Sequence, residues 1–502
     1  MRTLIKNLSL AEISMIGGWV KEVMPKGFFL RDFTGDIFVS TEYLGENASE
    51  PLAFRMVVLA SGVVHCSDEG RLYMTAENIE IVNCCEAESF NKIYVENLTE
   101  NRIELLRNIN KLKGYVRGYL SDHDFIEICT PMLWKSVKEY GMFEWKVINP
   151  LTGVDKYRLL QSPNIINLIN CISGIERNFQ FAKCFRLPQE STHERNDSTV
   201  EFTQLAITGA FINNFEGMRI VEGLIKQIAS RAFQIDIAAP FPVYDYDELH
   251  SKYSTDKPDI RYDDYYMPTL EGIDCKLILI PHLDVNDCVN KYLEGYLALG
   301  NHTDVTFFVG SVNEIVEKCC FDKNSFNNKL ADVGIYDLHK YSVVIVKNFA
   351  EHNMSQLLKR LSVFIEKVKG INKSMYSFFW VENYQYINED DAGVNGLGQN
   401  LFTKRRGYKH SFAFDLIFNG FEIASGSEKV FTEKEFVENL DILSLDKADY
   451  AYFIDALKSG VPPLFSIGIG WDRLIWQLFG KACIQDIMLI PFDQEGSCSL
   501  WT

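Results

Sequence analysis

A chain of 502 residues with 47% apolar side chains can bury more than one core and should divide into two to four domains. Its net charge of −18 repels polyanions over most of the surface, so any contact with nucleic acid must rest on local basic patches such as Lys404-Arg405-Arg406. No apolar run is long enough to cross a bilayer, no basic-plus-apolar leader opens the chain, and the 12 cysteines show no C-x-x-C spacing; a cytoplasmic protein with reduced thiols and no zinc site is expected.

Up to about residue 85 the chain reads as short strands, Ile16–Val23, Gly27–Arg31, Asp36–Ser40, Arg55–Val64 and Arg71–Val82. They are broken by Pro25-Lys26-Gly27, Thr34-Gly35 and Asp68-Glu69-Gly70, a pattern that predicts a small closed barrel of the oligonucleotide-binding type. An amphipathic helix follows over Thr99–Leu120, with Ile103, Leu106, Ile109, Leu112 and Val116 on one stripe, and Phe125–Ile128 starts a strand that runs to Thr130-Pro131. From about 155 to 240 strands alternate with helices: a strand at Tyr157–Leu160, a helix capped by Ser162, a strand at Phe179–Arg186, a polar loop over Leu187–Val200, a strand at Glu201–Phe211 and a helix over Phe215–Phe233. Residues 268–372 read as an inserted α/β domain, with a strand at Cys275–Ile280 and a helix at Met354–Val368, before strands resume at Phe378–Val381 and Ser411–Ala424.

Four segments carry chemistry. In Ser466-Ile467-Gly468-Ile469-Gly470-Trp471-Asp472-Arg473, a glycine-bearing strand runs into a helix that opens on an arginine; the glycines let a base or phosphate approach the backbone and Arg473 supplies a permanent cation. In the hairpin Ser411–Ser427, Asn419-Gly420 is the preferred type I′ pair, setting Phe418 opposite Phe421 and Ile417 opposite Glu422. Alternation then places Asp415 diagonal to Glu422 on one face, within reach of a shared Mg²⁺, which takes one or two protein oxygens and the rest from phosphate and water. In Phe181–Arg186 and Glu201–Gln204, Arg186 can clamp a phosphate while Phe202 offers an aromatic face to adenine. The fourth segment, Phe125–Leu133, is a packing edge ending in proline.

Taken in order, these segments resemble the three signature motifs of class II aminoacyl-tRNA synthetases, most closely the bacterial type of aspartyl-tRNA synthetase. Further matches are Gln161-Ser162-Pro163, Ser254-Thr255-Asp256-Lys257-Pro258-Asp259-Ile260-Arg261, Gly460-Val461-Pro462-Pro463 and Asp486-Ile487-Met488-Leu489-Ile490-Pro491-Phe492. The resemblance implies an α+β protein: an anticodon-binding barrel (1–85), a hinge (86–115), and a catalytic domain in two parts (116–267 and 373–502) built on an antiparallel sheet flanked by helices, with a reduced insertion at 268–372. It implies activation of an amino acid by ATP to an aminoacyl-adenylate, transfer to tRNA, and a homodimer. Carried over by residue, Arg186 and Arg473 are catalytic and bind ATP with Phe202, Asp415 and Glu422 lie by Mg²⁺, and Glu139, Gln161, Ser162, Asn167, Gln204 and Lys429 line the amino-acid pocket.

The departures from the family cluster in the site. Pro188 follows Arg186-Leu187 where the family has a glutamate near ATP, leaving Glu190 or Glu194 of the longer loop to take its place. Ala206 and Thr208 stand where it has an aspartate and a glutamate, and Asn167 and Lys429 where a lysine and an arginine bind the side-chain carboxylate of the substrate. Ala424-Ser425-Gly426-Ser427 replaces Gly-Gly-Gly-Ser, and Gln399-Asn400-Leu401-Phe402-Thr403 replaces His-His-Pro-Phe-Thr. In the barrel, Phe38 stands where an anticodon-reading glutamine is expected, so tRNA contacts are altered. An ammonium does not grip a carboxylate bidentately as a guanidinium does, so a changed amino-acid preference is one expectation. The alternatives are a paralogue that passes its acyl group to a non-tRNA acceptor and a non-catalytic regulatory protein.

Overall fold

Inward alternation closes five strands into a barrel, in the order Ile13–Met24, Gly27–Asp32, Gly35–Ser40, Leu72–Asn83 and Val57–Cys66. Ile16, Val20, Phe28, Leu30, Ile37, Val39, Val58, Val64 and Met74 fill its interior. The computed structural model describes residues 2–44, 51–84, 100–134, 142–155, 157–188, 198–268, 270, 276–281, 286–299, 306–332, 335–336, 340–347, 351–370, 376–390, 393–397, 401–442 and 444–492. On the outside of the barrel, direct partners form a row across four strands: Phe29 opposite Phe38, Phe38 opposite Tyr73, and Tyr73 opposite His65. The Phe29 and Phe38 rings meet edge to face at 5.4 Å, and His65 stacks on Tyr73 at 5.2 Å. Gly27 makes room for this packing, since a Cβ there would lie 2.9 Å from the Phe38 ring and 2.1 Å from the Val39 carbonyl oxygen.

The chain forms two compact units, Met1–Lys111 with Ile487–Thr502, and Leu112–Asp486. The helix Glu100–Asp122 contributes its first half to one and its second half to the other, and runs two residues past the end its periodicity suggests. In the second unit an eight-stranded sheet has the order Val243–Asp245, Phe378–Glu382, Ala413–Phe418, Phe421–Lys429, Leu464–Gly470, Glu201–Ala210, Arg177–Phe185, Ile126–Glu127. Its six central strands are antiparallel and each edge strand pairs in parallel. The strand expected at Phe125–Ile128 is thus reduced to two paired residues at one edge. Within the expected loop after Arg186, Leu187–Pro188 pairs with Met142–Phe143.

The two faces of this sheet differ in character. One is apolar and carries the helix Asn214–Phe233, whose N-terminus is closed by a capping box between Asn213 and Glu216. The helix comes so close that a Cβ on Gly217 would lie 2.1 Å from the Phe465 ring. Its buried Glu222 accepts hydrogen bonds from Trp380 Nε1 (2.8 Å) and the Phe241 amide (3.0 Å), which satisfies a carboxylate inside an aromatic layer. The other face is lined with amides and hydroxyls. The expected insertion forms a three-stranded antiparallel sheet, Lys276–Ile280, Ser342–Lys347, Thr306–Ser311, covered by Asn286–Leu299 and Glu351–Lys369 on one face and Val312–Lys318 and Lys323–Asp332 on the other.

Candidate active site

The polar face of the large sheet is built by strand alternation. Phe202, Gln204, Ala206 and Thr208 share it with Cys184, Ala182, Gln180 and Asn178, their direct partners on the neighbouring strand. On the other side Gln204, Ala206 and Thr208 pair with Gly470, Gly468 and Ser466, and the row continues through Ser425 and Ser427 to Asp415 and Ala413. Hydroxyls meet across it, Thr208 with Ser466 at 3.2 Å and Ser427 with Thr403 at 3.3 Å. Gly468 is required by a close approach: a Cβ there would lie 1.9 Å from Gln204 Nε2. Gly468→Ala should therefore leave the fold intact, because the clash is with the end of a flexible side chain, yet displace Gln204. A rise of about tenfold in KM for the amino acid, with a melting temperature near that of the parent, is the expected kinetic result; an unchanged KM would remove Gln204 from the pocket.

Arg186 and Phe202 meet at one end of this floor. The Arg186 guanidinium lies over the Phe202 ring at 5.2 Å, and its Nε donates to the Gln161 carbonyl oxygen at 3.0 Å. Gln161 in turn donates to the Phe143 carbonyl oxygen at 3.0 Å, while Ser162 Oγ accepts from the Asn164 amide at 3.4 Å ahead of the helix Asn164–Ile172. Two residues from Phe202, Gln204 pairs with Gly470, where the strand Leu464–Gly470 gives way to the helix Trp471–Leu478. The third residue of that helix, Arg473, donates from Nη1 to the Glu422 carbonyl oxygen at 2.7 Å, and Asp472 accepts from the Thr203 amide at 2.6 Å. Both arginines thus sit around neighbouring strand ends. Glu139 and Glu190 lie outside the described residues.

The acidic hairpin departs from its expected register. Asn419 and Gly420 both have positive φ, 50° and 77°, as a I′ turn requires, and the first two rungs pair as expected. A bulge at Ile423 then shifts the ladder, so Leu416 faces Ala424 and Asp415 faces Ser425. The link between Asp415 and Glu422 therefore runs through side chains from other elements. Tyr384 Oη lies 2.8 Å from both Asp415 Oδ2 and Asp256 Oδ2, and Lys257 Nζ lies 2.5 Å from Asp256 and 3.5 Å from Glu422. Burial and then the Glu422 charge push the Asp415 carboxyl up to about 7, with Lys257 pulling the other way. Burial alone would depress Lys257, but Glu422, Asp256 and Asp415 together raise it and hold it charged. Asp256 and Lys257 stand in a segment that matches the family yet carries no distinctive spacing, and nothing in the sequence singles out Tyr384.

At the far end of the same face lies Lys429, two residues beyond Ser427, only 5% exposed and with no ion pair to any other described residue. Burial lowers its ammonium to about 8. Asn167 is fully buried in the adjoining helix; its Oδ1 accepts from Gln180 Nε2 at 2.6 Å, and its Nδ2 has no hydrogen-bond partner among the described residues. The ammonium and the amide nitrogen are each a buried donor left without a partner among the described residues, a condition that costs free energy until an acceptor meets it.

The family model for class II tRNA synthetases (D, K and N) matches residues 86–494, and the chain belongs to that family. It is therefore a ligase that activates an amino acid with ATP and transfers it to tRNA. It is 25% identical to an aspartate–tRNA ligase of Oceanobacillus iheyensis, over 97% of this chain and 93% of that protein. An aspartate–tRNA(Asp/Asn) ligase of Brachyspira hyodysenteriae is 26% identical, over 96% of this chain and 92% of its own. Among solved structures, asparaginyl-tRNA synthetase of Entamoeba histolytica matches with a TM-score of 0.65 at 15% identity, covering 99% of both chains. The enzyme of Pyrococcus horikoshii complexed with asparaginyl-adenylate matches with a TM-score of 0.62 at 15% identity, covering 97% of both. These neighbours share the barrel-plus-sheet fold.

Proposed function

We propose that the amino acid activated is aspartate, and the observation that carries this reading is Lys429. A buried ammonium without a carboxylate partner is costly until an anion arrives, and a substrate side-chain carboxylate, helped by Asn167 Nδ2, is the group that answers it. The names of the sequence relatives agree, and favour tRNA over another acceptor. In this reading Gln161, Ser162 and Gln204 position the rest of the amino acid, Phe202 stacks on adenine, and Arg186 and Arg473 neutralise the phosphates as the carboxylate attacks. Such chemistry needs alignment and charge neutralisation more than a general base.

Asp415 and Glu422 suit Mg²⁺ as hard oxygen ligands on a rigid hairpin. Among the described residues no group of three or more His, Cys, Asp or Glu is arranged to hold a metal alone, which accords with an ion that arrives with the nucleotide. When bound, Mg²⁺ neutralises phosphate oxygens. The homodimer reading draws on the segment Phe125–Leu133, where Ile126, Met132 and Leu133 leave large apolar surface exposed. Altered tRNA reading draws on Phe38, whose ring offers a stacking face in place of an amide. A cytoplasmic location draws on the described cysteines, all of them free thiols, and no described helix is long and apolar enough to cross a membrane.

Pyrophosphate exchange into ATP, run with each proteinogenic amino acid in turn, should be driven most strongly by aspartate, and unfractionated tRNA should then accept radiolabelled aspartate. Exchange driven better by asparagine would overturn the substrate assignment.

A further inference from the structure

Gln180 lies on the polar face of the large sheet, 3% exposed, in the strand Arg177–Phe185. Its direct partner on Glu201–Ala210 is Ala206, whose methyl group makes no hydrogen bond, so the buried amide has to find its partners in other elements. One is Thr130, in the segment that leaves the edge strand Ile126–Glu127, and the other is Asn167, in the helix Asn164–Ile172. They stand 50 and 13 residues away along the chain.

Thr130 decides which way this amide points. Its backbone N–H can only donate, and it reaches Gln180 Oε1 at 3.3 Å. The Thr130 hydroxyl, 3.1 Å from Oε1 and 3.0 Å from Nε2, suits either end and does not choose between them. Reversing the Gln180 amide would set two donors against each other and leave an N–H without an acceptor. With Oε1 held, Nε2 is turned to Asn167 and donates to its Oδ1 at 2.6 Å. Asn167 is fully buried and is oriented in turn: Oδ1 is taken, and Nδ2 is left as the end without a partner among the described residues. Direction thus passes from a backbone amide through two side chains whose oxygen and nitrogen ends are nearly the same in shape.

We propose that Gln180 is a positioning residue for substrate choice, holding Asn167 as a donor so that the pocket takes a side-chain carboxylate and refuses a side-chain amide. The inference rests on the reading that Lys429 and Asn167 meet the side chain of the substrate. An ammonium and an amide N–H are both donors. A carboxylate accepts from both, whereas the NH₂ group of asparagine has to face one of them with a donor of its own. A turned Asn167 would present Oδ1 and satisfy that NH₂ group. The choice between two amino acids of nearly equal shape therefore hangs on a residue one step behind the one that touches the substrate.

The test compares kcat/KM for aspartate and for asparagine in pyrophosphate exchange by the whole chain, with melting temperatures alongside. Gln180→Met keeps the volume and removes both hydrogen bonds; the aspartate-to-asparagine ratio should fall about tenfold, through a higher KM for aspartate and a lower one for asparagine. Gln180→Asn, too short to span Thr130 and Asn167, should lower the ratio in the same direction and serves if the methionine variant does not fold. In an Asn167→Leu background, Gln180→Met should change the ratio by less than about twofold, because the residue it acts through is gone. A role in folding alone would depress exchange with both amino acids alike and leave the ratio where the parent has it, and that result would overturn the proposal. A further tenfold fall, or about that, in the Asn167→Leu background would overturn it too, since Gln180 would then act on the substrate without Asn167. A parent that prefers asparagine would sink the aspartate reading, yet the relay would stand if Gln180→Met still moved the ratio and Asn167→Leu still abolished that effect.

Discussion

Arg186→Ala should reduce amino-acid-dependent pyrophosphate exchange by at least about 10²- to 10³-fold, the loss that follows removal of one preorganised donor from developing charge. Nε on the Gln161 carbonyl oxygen and the plane over Phe202 hold the guanidinium, so its direction is decided before ATP arrives. Arg186→Lys should recover little, because an ammonium has neither the planar stack nor the fork. The side chain is half-buried at the edge of the floor, so thermal melting of both variants should stay close to the parent, which separates a lost phosphate contact from a lost fold. Normal exchange in Arg186→Ala would remove the phosphate role assigned to this residue.

Lys429→Met should make the protein more stable and useless toward aspartate. The ordinary ammonium value of 10.5 falls to about 8 on burial, a penalty of about 3 kcal/mol as an upper bound when the group is charged in the folded state. The sign follows from proton counting. Between pH 8 and 10.5 the unfolded chain holds a proton at this site that the folded chain does not, so stability rises with pH through that window and the penalty is fully felt below it. Methionine removes the charge at nearly constant volume, so the gain in stability should be greatest at neutral pH and shrink as pH rises toward 10.5. In the parent, KM for aspartate should rise as pH passes about 8 and the ammonium discharges. Urea melts at two pH values and exchange kinetics across the same range check both parts. A destabilised methionine variant, or one that still activates aspartate normally, would contradict the account of Lys429 as a cation held open for an anion.

The barrel was legible because alternation and Gly-bearing turns act over a few residues, and the strands lie within a few positions of their predicted ends. The pieces proposed to meet the nucleotide could be picked out for the same reason: Gly468, Gly470 and Arg473 lie within six residues, and Asn419-Gly420 declares its own turn. The bulge at Ile423 was not, because nothing in the local pattern marks the extra residue and it depends on what the ladder must accommodate across the sheet. Tyr384 was invisible for a related reason: its hydroxyl meets Asp256 and Asp415, 128 and 31 residues away along the chain.

From alternation and turn residues came the barrel, and from the resemblance of the ordered segments came the class of protein, the antiparallel core sheet and the proposal of which side chains meet ATP and the amino acid. Those are local or cumulative signals, and they survive without knowledge of which strands are neighbours. Tertiary structure decided the electrical state of the site. Whether a lysine is a solvated surface charge or a buried cation awaiting an anion depends on how many atoms exclude water from it and whether a carboxylate lies near, and both are set by strands brought together from distant parts of the chain.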